Sequence, residues 1–257
     1  MKKFLANGTR TTLPKSLREK IFNFGFQIAP EQFQKFAYLY GGAPKMEPGL
    51  TALRNRGFDP KIIFDVGAFE GTFCRMARRI WPQSQIVMFE ANMDKEPILA
   101  PVARQADADL KMSLLGPEDG EEVEFFIMGS GSSVFEENSP LDRKIIKQKT
   151  ARLDTAAGEL RPDFLKMDVQ GFELQVLRGA DEVLQSAEAV MMEVSLLEIN
   201  KGAPLLAEVV GFMAERGFEV ADILEIHRRP LDQATNQVDL FFVPSDHKLL
   251  SDHRHFA

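Results

Sequence analysis

The sequence predicts an α/β protein built on a doubly wound, mostly parallel sheet, and three observations lead there. Short apolar runs alternate with amphipathic helical stretches between residues 61 and 243. The stretch KIIFDVGAFEG, residues 61–71, passes from an apolar run (Ile62, Ile63, Phe64) into a turn carrying an acid and two glycines. A second apolar run, VMFE, then stops on a carboxylate, Glu90. Strand, glycine turn, helix and acid-tipped strand make the opening βαβ unit of a nucleotide-type cofactor site.

Residues 1–58 read as a helical cap. Leu17, Ile21 and Phe24 share one helical spacing, and Phe33, Phe36, Ala37 and Tyr40 recur at i, i+3, i+4 and i+7. A substrate lid or a homodimer face is the other reading of this phenylalanine-rich region. The sheet begins with a strand at 61–66. Its helix, 71–80, turns Phe73, Met76, Ala77 and Ile80 inward and Arg75, Arg78 and Arg79 outward, and Pro82 stops it. Strands are expected at 85–90, near 110–115 and at 122–128, followed by the loop GSGSS at 129–133. The basic segment DRKIIKQKTARLD, 142–154, is expected to be partly helical. DFLKMD closes a strand at Asp168, a helix spans 171–178, and Gly179 caps it. AVMMEV (189–194) reads as a buried strand, 204–216 as a helix ended by Gly217, and 218–224 and 237–243 as the last strands. The expected organisation is a cap at 1–58, one α/β domain at 59–245 and a polar tail at 246–257.

Composition narrows the function classes. The formal net charge of −7 over 257 residues argues against nucleic-acid binding, which wants a basic face. With a single cysteine, Cys74, no internal disulfide or thiolate metal cluster can form, which suits a reducing cytoplasm. The start, MKKFLANGTRTTLP, lacks the apolar core of a signal peptide, and no stretch has the roughly 20 apolar residues of a membrane span.

Charge discriminates between cofactors. Pyrophosphate is an anion, so Asp65 and Glu70 beside it would repel it. Phe69 also stands where the middle glycine of a dinucleotide turn would be. S-adenosylmethionine carries a sulfonium, an ammonium and a ribose but no phosphate, and the acids suit it. Glu90 falls at the distance where an acid reaches ribose hydroxyls.

A longer motif, LKMDVQGFELQVLRGA at 165–180, joins DVGAFEG, RLDT at 152–155 and QVDLFFV at 237–243. Together they resemble the FkbM family of S-adenosylmethionine-dependent methyltransferases, whose pattern Lys-x-Asp-x-(Glu/Gln)-Gly-x-Glu is met by Lys166, Asp168, Gln170, Gly171 and Glu173. The resemblance spans about residues 58–244. Phe69 stands where an Asn or small residue is often found, and Gln170 where Glu is commoner. The resemblance implies a Rossmann-like, seven-stranded class I methyltransferase fold with S-adenosylmethionine as cofactor. By it, Asp65, Gly67, Ala68, Phe69 and Gly71 cradle the methionine end. Glu90 takes the ribose hydroxyls with Ala91 and Asn92 beside it, and the loop around Leu115 flanks the adenine. It also implies a hydroxyl acceptor, on a small molecule or a glycan.

The chemistry needs a base for that hydroxyl. Asp168 and Glu193, each ending a strand, are candidates, with His227 third. Asp168 can instead cap the next helix or orient the acceptor. Ser132, Ser133 and Glu173 are candidates for holding the acceptor. The cations Arg143, Lys144, Lys147, Lys149 and Arg152, with Arg228 and Arg229, form either an anion patch or a solvated face. No His/Asp/Glu cluster has metal-ligand spacing along the chain, so no metal site is expected. The rival functions are an NAD-linked oxidoreductase and a non-catalytic partner that keeps the fold.

Overall fold

The computed structural model describes residues 44–128, 131–138 and 142–255. The periodic positions 17–40, and the dimer face expected there, lie outside these residues. Helix α1 (Met46–Asn55) leads into β1 (Ile62–Val66), α2 (Thr72–Ile80) and β2 (Gln85–Glu90). Then come α3 (Glu96–Ala106), β3 (Ala108–Met112), β4 (Leu114–Leu115), β5 (Glu122–Ile127) and β6 (Lys144–Ala151). The remainder is α4 (Leu153–Ala157), β7 (Phe164–Met167), α5 (Glu173–Arg178), α6 (Asp181–Ser186) and β8 (Ala189–Ser195). It closes with α7 (Leu206–Ala214), β9 (Phe218–Arg228) and β10 (Thr235–Pro244).

Seven strands form the central sheet in the order β3-β2-β1-β7-β8-β10-β9. The first five run parallel, and β10 lies antiparallel to both β8 and β9. The mostly parallel seven-stranded sheet expected from the sequence is therefore the observed one. The chain leaves β1 toward β2 and β3 on one side and later returns to β7 on the other. The gap between the carboxyl ends of β1 and β7 is thus a topological switch point, where open α/β sheets bind ligands.

Period-two alternation explains the two-sided core. Along β1, Ile63 joins the layer under α1, α2 and α3, while Phe64 joins the opposite layer. Phe164, Met191 and Phe241 repeat the first choice, and Leu165, Val190 and Phe242 the second. Strands buried on both faces read as continuous apolar runs, which is why 62–64 and 189–192 look uniformly greasy. Phe58, Trp81, Phe164 and Phe241 meet edge to face in the first layer, with centroids 5.3–5.8 Å apart.

Several expectations are corrected. Residues 144–151 form β6, not a helix, because β5 pairs with them in antiparallel register from Glu122↔Lys149 to Ile127↔Lys144. This pair and β4 build a separate three-stranded sheet, so the single strand expected near 110–115 is two strands in different sheets. Helix α3 was not expected at all. Pro97 stands in its first turn, where no N–H is needed, and Pro101 lies inside it. Burial of Leu99, Val102, Ala103 and Ala106 outweighs that interruption. Helix α6 was also missed, and β9 runs on to Arg228, so His227 belongs to a strand rather than to a loop. In the expected tail, Leu249 is buried and Lys248 donates to the Gly57 carbonyl at 2.7 Å. Among the described residues no helix is long and apolar enough to cross a membrane.

Candidate functional site

Two turns meet at the switch point. After β1, Gly67 takes φ 75°, and a Cβ there would lie 1.9 Å from the Asp168 carbonyl oxygen. Only glycine lets the turn after β1 pass the end of β7. Phe69 also holds a left-handed φ of 51°, with the Lys95 ammonium 3.8 Å above its ring centroid. Glu90 ties this turn down. Its Oε2 accepts the Phe69 N–H at 2.7 Å, and its Oε1 accepts the Asn92 N–H at 2.8 Å. Burial raises the Glu90 pKa, and those two N–H donors pull against the rise.

After β7 the pattern repeats. Gln170 is left-handed at φ 55°, and Gly171 follows at φ 97°. Glu173, fully buried, accepts N–H bonds from Val169 at 3.0 Å and Gly171 at 3.3 Å. Its pKa is pushed up to about 7, above all by burial. The Gln170 amide donates to Asp168 Oδ1 at 2.7 Å and to Glu193 Oε1 at 2.9 Å, and Gln237 donates to the same Glu193 oxygen at 2.5 Å.

Between these turns lies a cavity of about 330 Å³. Glu90, Asp168 and Glu193 bring three carboxyl groups to it, while among the described residues no lysine or arginine lines it. Leu114, Leu115, Phe125, Phe172 and Val176 supply an apolar wall. Such a space welcomes a cation carrying hydroxyls and a flat apolar group, and repels a pyrophosphate. Gln170 and Gln237 also line a second cavity of about 440 Å³, together with His227, Arg228, Arg229 and Asn236. At this boundary His227 Nε2 lies 2.9 Å from Asp239 Oδ2 and 3.8 Å from Glu193 Oε2. The bond to Asp239 raises the His227 pKa against burial. Burial first, then the charges of Asp168 and Asp239, pushes the Glu193 carboxyl up to about 9.

The sequence-predicted residues divide. Gly67, Phe69, Glu90, Ala91, Asn92, Leu115, Ser132, Ser133, Asp168 and Glu193 all line the first cavity. His227 lines the second. Asp65 does not reach either cavity: it is fully buried, and its Oδ1 pairs with Lys166 Nζ at 2.9 Å. This pair crosses from β1 to β7, whose register sets Asp65 opposite Lys166. Ala68 is buried away from the cavity, and a Cβ on Gly71 would lie 2.7 Å from Val102, so Gly71 serves packing against α3. Glu173 props the turn after β7 from beneath. Ser132 and Ser133 spend their hydroxyls on the Met128 and Gln170 carbonyls. The basic patch is largely paired internally: Lys147 with Glu122 at 2.8 Å, Arg152 with Asp154 at 3.3 Å and Arg229 with Asp232 at 2.6 Å. Sequence reasoning missed Gln237 and Asp239, although both lie in the motif QVDLFFV. It also missed the bridging role of Gln170, which no local pattern signals.

The methyltransferase FkbM domain matches residues 65–220 of the chain. No curated protein matches it by sequence. Among solved structures it is similar to a methyltransferase FkbM from Methylobacillus flagellatus KT, at 16% identity and TM-score 0.47, over 70% of this chain and 43% of that one. It is similar to a precorrin-6y C5,15-methyltransferase from Geobacter metallireducens GS-15, at 13% identity and TM-score 0.45, over 76% and 85% of the two chains. It is also similar to the N-terminal domain of EvdMO1, a structure in the presence of SAH and D-fucose, at 10% identity and TM-score 0.47, over 78% and 83%. With more than half of its length matched, from the end of β1 to the start of β9, the chain belongs to the FkbM family of methyltransferases, and its cofactor is S-adenosylmethionine.

Proposed function

We propose that residues 59–245 carry an O-methyltransferase that moves a methyl group to a hydroxyl of a small molecule, with sugars and glycan units as the acceptor class. The observation that carries this reading is the polar boundary between the two cavities, where Gln170 links Asp168 to Glu193. On one side lies the carboxyl-rich, partly apolar cavity that fits the cofactor, and on the other a cavity of mixed lining, with His227, Arg228, Arg229 and Asn236 among its polar groups and room for a sugar-sized acceptor.

When bound, S-adenosylmethionine supplies an electrophilic methyl group on a sulfonium. Glu90, held by two backbone N–H donors, keeps lone pairs for the ribose hydroxyls. Of the residues lining the first cavity, Leu115, Phe125 and Phe172 would flank the adenine, and Gly67 and Phe69 would lie against the methionine end. Asp168 accepts the proton of the attacking hydroxyl. It stands at the boundary, and among the described residues its Oδ2 has no hydrogen-bond partner. With no cation beside it, Glu193 is pushed up to about 9, above all by burial, so it already holds a proton at neutral pH and is not free to accept another. Much of the rate comes from aligning the hydroxyl with the methyl carbon, which Gln170 and Gln237 favour by fixing the carboxyl groups. A boundary rich in amide and carboxyl groups suits an acceptor with several hydroxyls better than an apolar one.

The test is a screen of the purified chain with methyl-labelled S-adenosylmethionine against sugars, nucleotide-linked sugars and small alcohols. The expected outcome is label on a hydroxyl oxygen, with Asp168→Asn lowering kcat by about a hundredfold. Full turnover by Asp168→Asn on the substrate found would remove Asp168 as the base. Label on nitrogen or carbon only would overturn oxygen transfer.

A further inference from the structure

We propose that Glu193 on β8, His227 on β9 and Asp239 on β10 form a binding site for one divalent metal ion of the manganese(II) class. The three residues are far apart in the chain, and the antiparallel hairpin of β9 and β10 brings them together. Asp239 stands directly opposite Glu193 in the register of β10 with β8, and His227 lies opposite Gln237 in that of β9 with β10. One donor atom from each side chain lies within 4.8 Å of the other two.

The distances fit an ion. An octahedral ion with ligands at about 2.1 Å spaces adjacent donors about 3 Å apart. His227 Nε2 and Asp239 Oδ2 are 2.9 Å apart, and His227 Nε2 and Glu193 Oε2 are 3.8 Å apart. Shortening the second distance by less than an ångström brings it to that spacing, and the third pair of donors lies within 4.8 Å. One imidazole and two carboxylates are an intermediate donor set, which suits manganese(II) and does not exclude zinc(II).

The surroundings support a ligand role independently of the three donors. Gln170 and Gln237 both donate to Glu193 Oε1, so that oxygen is held while Oε2 faces His227. Fixing a ligand carboxylate through its other oxygen is how outer partners orient metal ligands. Asp239 is only 3% exposed, and Asp168 and Glu225 also act on the His227–Asp239 pair, so carboxyl groups outnumber cations here. The second cavity opens on His227, leaving a side from which other oxygens can reach the ion. In its wall Asn236 Oδ1 is buried and, among the described residues, has no hydrogen-bond partner, an acceptor suited to a hydroxyl or water seated beside the ion.

The consequence for the acceptor rests on the methyl-transfer reading above. With three protein donors, the remaining positions go to acceptor oxygens or water, so two neighbouring hydroxyls on one molecule would be gripped best. The new bond joins one of those oxygens to the methyl carbon, the sulfur keeps the electron pair of the broken S–C bond, and the proton passes to Asp168. The ion changes no oxidation state.

Titration of the full chain with Mn²⁺, followed by the electron paramagnetic resonance signal of the free ion, tests the site. One ion bound per chain is expected, with affinity falling at least tenfold in His227→Gln and in Asp239→Asn. If either variant fails to fold, broadening of the His227 imidazole resonances by Mn²⁺ in the unaltered chain replaces it. Absence of binding at millimolar Mn²⁺ or Zn²⁺, binding unchanged in folded variants, or sharp His227 resonances in the presence of bound Mn²⁺ would overturn the proposal. Ion binding without methyl transfer to any hydroxyl would sink the functional reading and leave the site standing. Transfer at full rate in a chain that binds no ion would do the reverse.

Discussion

The turns after β1 and β7 use one device in two ways. Each carries a non-glycine residue in the left-handed region, Phe69 and Gln170, and each is tied by a buried glutamate that accepts two backbone N–H bonds. Glu90 reaches its turn from the neighbouring strand β2, so it lies along the cavity. Glu173 reaches its turn from the helix that follows, so it lies beneath and never meets the cavity. The same capping chemistry therefore makes a ligand-facing acid in one place and a prop in the other. Which of the two results depends on the direction from which the carboxyl approaches.

The largest effect should come where the turns touch. Gly67→Ala would set a Cβ 1.9 Å from the Asp168 carbonyl oxygen, with backbone rather than a flexible side chain in the way. A loss above about 3 kcal/mol in urea denaturation is expected, and a neutral result would mean the turns are not locked together. Next comes the prop. Because the Glu173 pKa is raised to about 7, folding is favoured by its protonated form. That contribution is complete below the ordinary glutamate value of 4.5 and is lost as pH rises through 7. Between pH 5 and 8 the unaltered chain should lose up to about 3 kcal/mol relative to Glu173→Gln, read by paired melting curves. Parallel curves would show that Glu173 is not buried as described.

A smaller effect separates the two glutamates by function. Glu90→Gln should weaken S-adenosylhomocysteine binding about tenfold in calorimetry, while Glu173→Gln leaves it within twofold at pH 6. Equal losses would erase the distinction between ligand-facing acid and prop. The smallest concerns backbone strain: Phe69→Asn relieves the left-handed φ but gives up the contact with Lys95. These terms of about 1 kcal/mol each nearly cancel, so the melting temperature should move by no more than about 3 °C.

Much of the first turn was legible in the sequence, because its residues are contiguous and each follows a local rule. Gly67 and Glu90 were found from strand ends and spacing alone. Asp65 shows the limit: its acidity was legible, but its partner Lys166 comes from β7, and only the sheet register places them opposite each other. Helix α3 was hidden by Pro97 and Pro101, whose local reading is interruption, while the burial that overrides it is tertiary. Strand β6 was hidden by its lysines, which suit an exposed helix as well as an exposed strand until β5 pairs with them. Glu193, His227 and Asp239 were invisible as a group for the same reason, since no spacing along the chain encodes a meeting across three strands.

The antiparallel hairpin has a consequence for how such a protein can change. Most of the lining of the first cavity hangs on the parallel strands and their crossovers, with Gln237 on β10 the exception. The hairpin of β9 and β10 is hydrogen-bonded to the parallel strands along one edge, through β8, although Phe241 and Phe242 reach into both core layers. Insertions near residues 229–234 would redraw the proposed acceptor side while the first cavity kept its shape. On the proposed reading, acceptor choice is therefore the trait this architecture leaves most free to diverge.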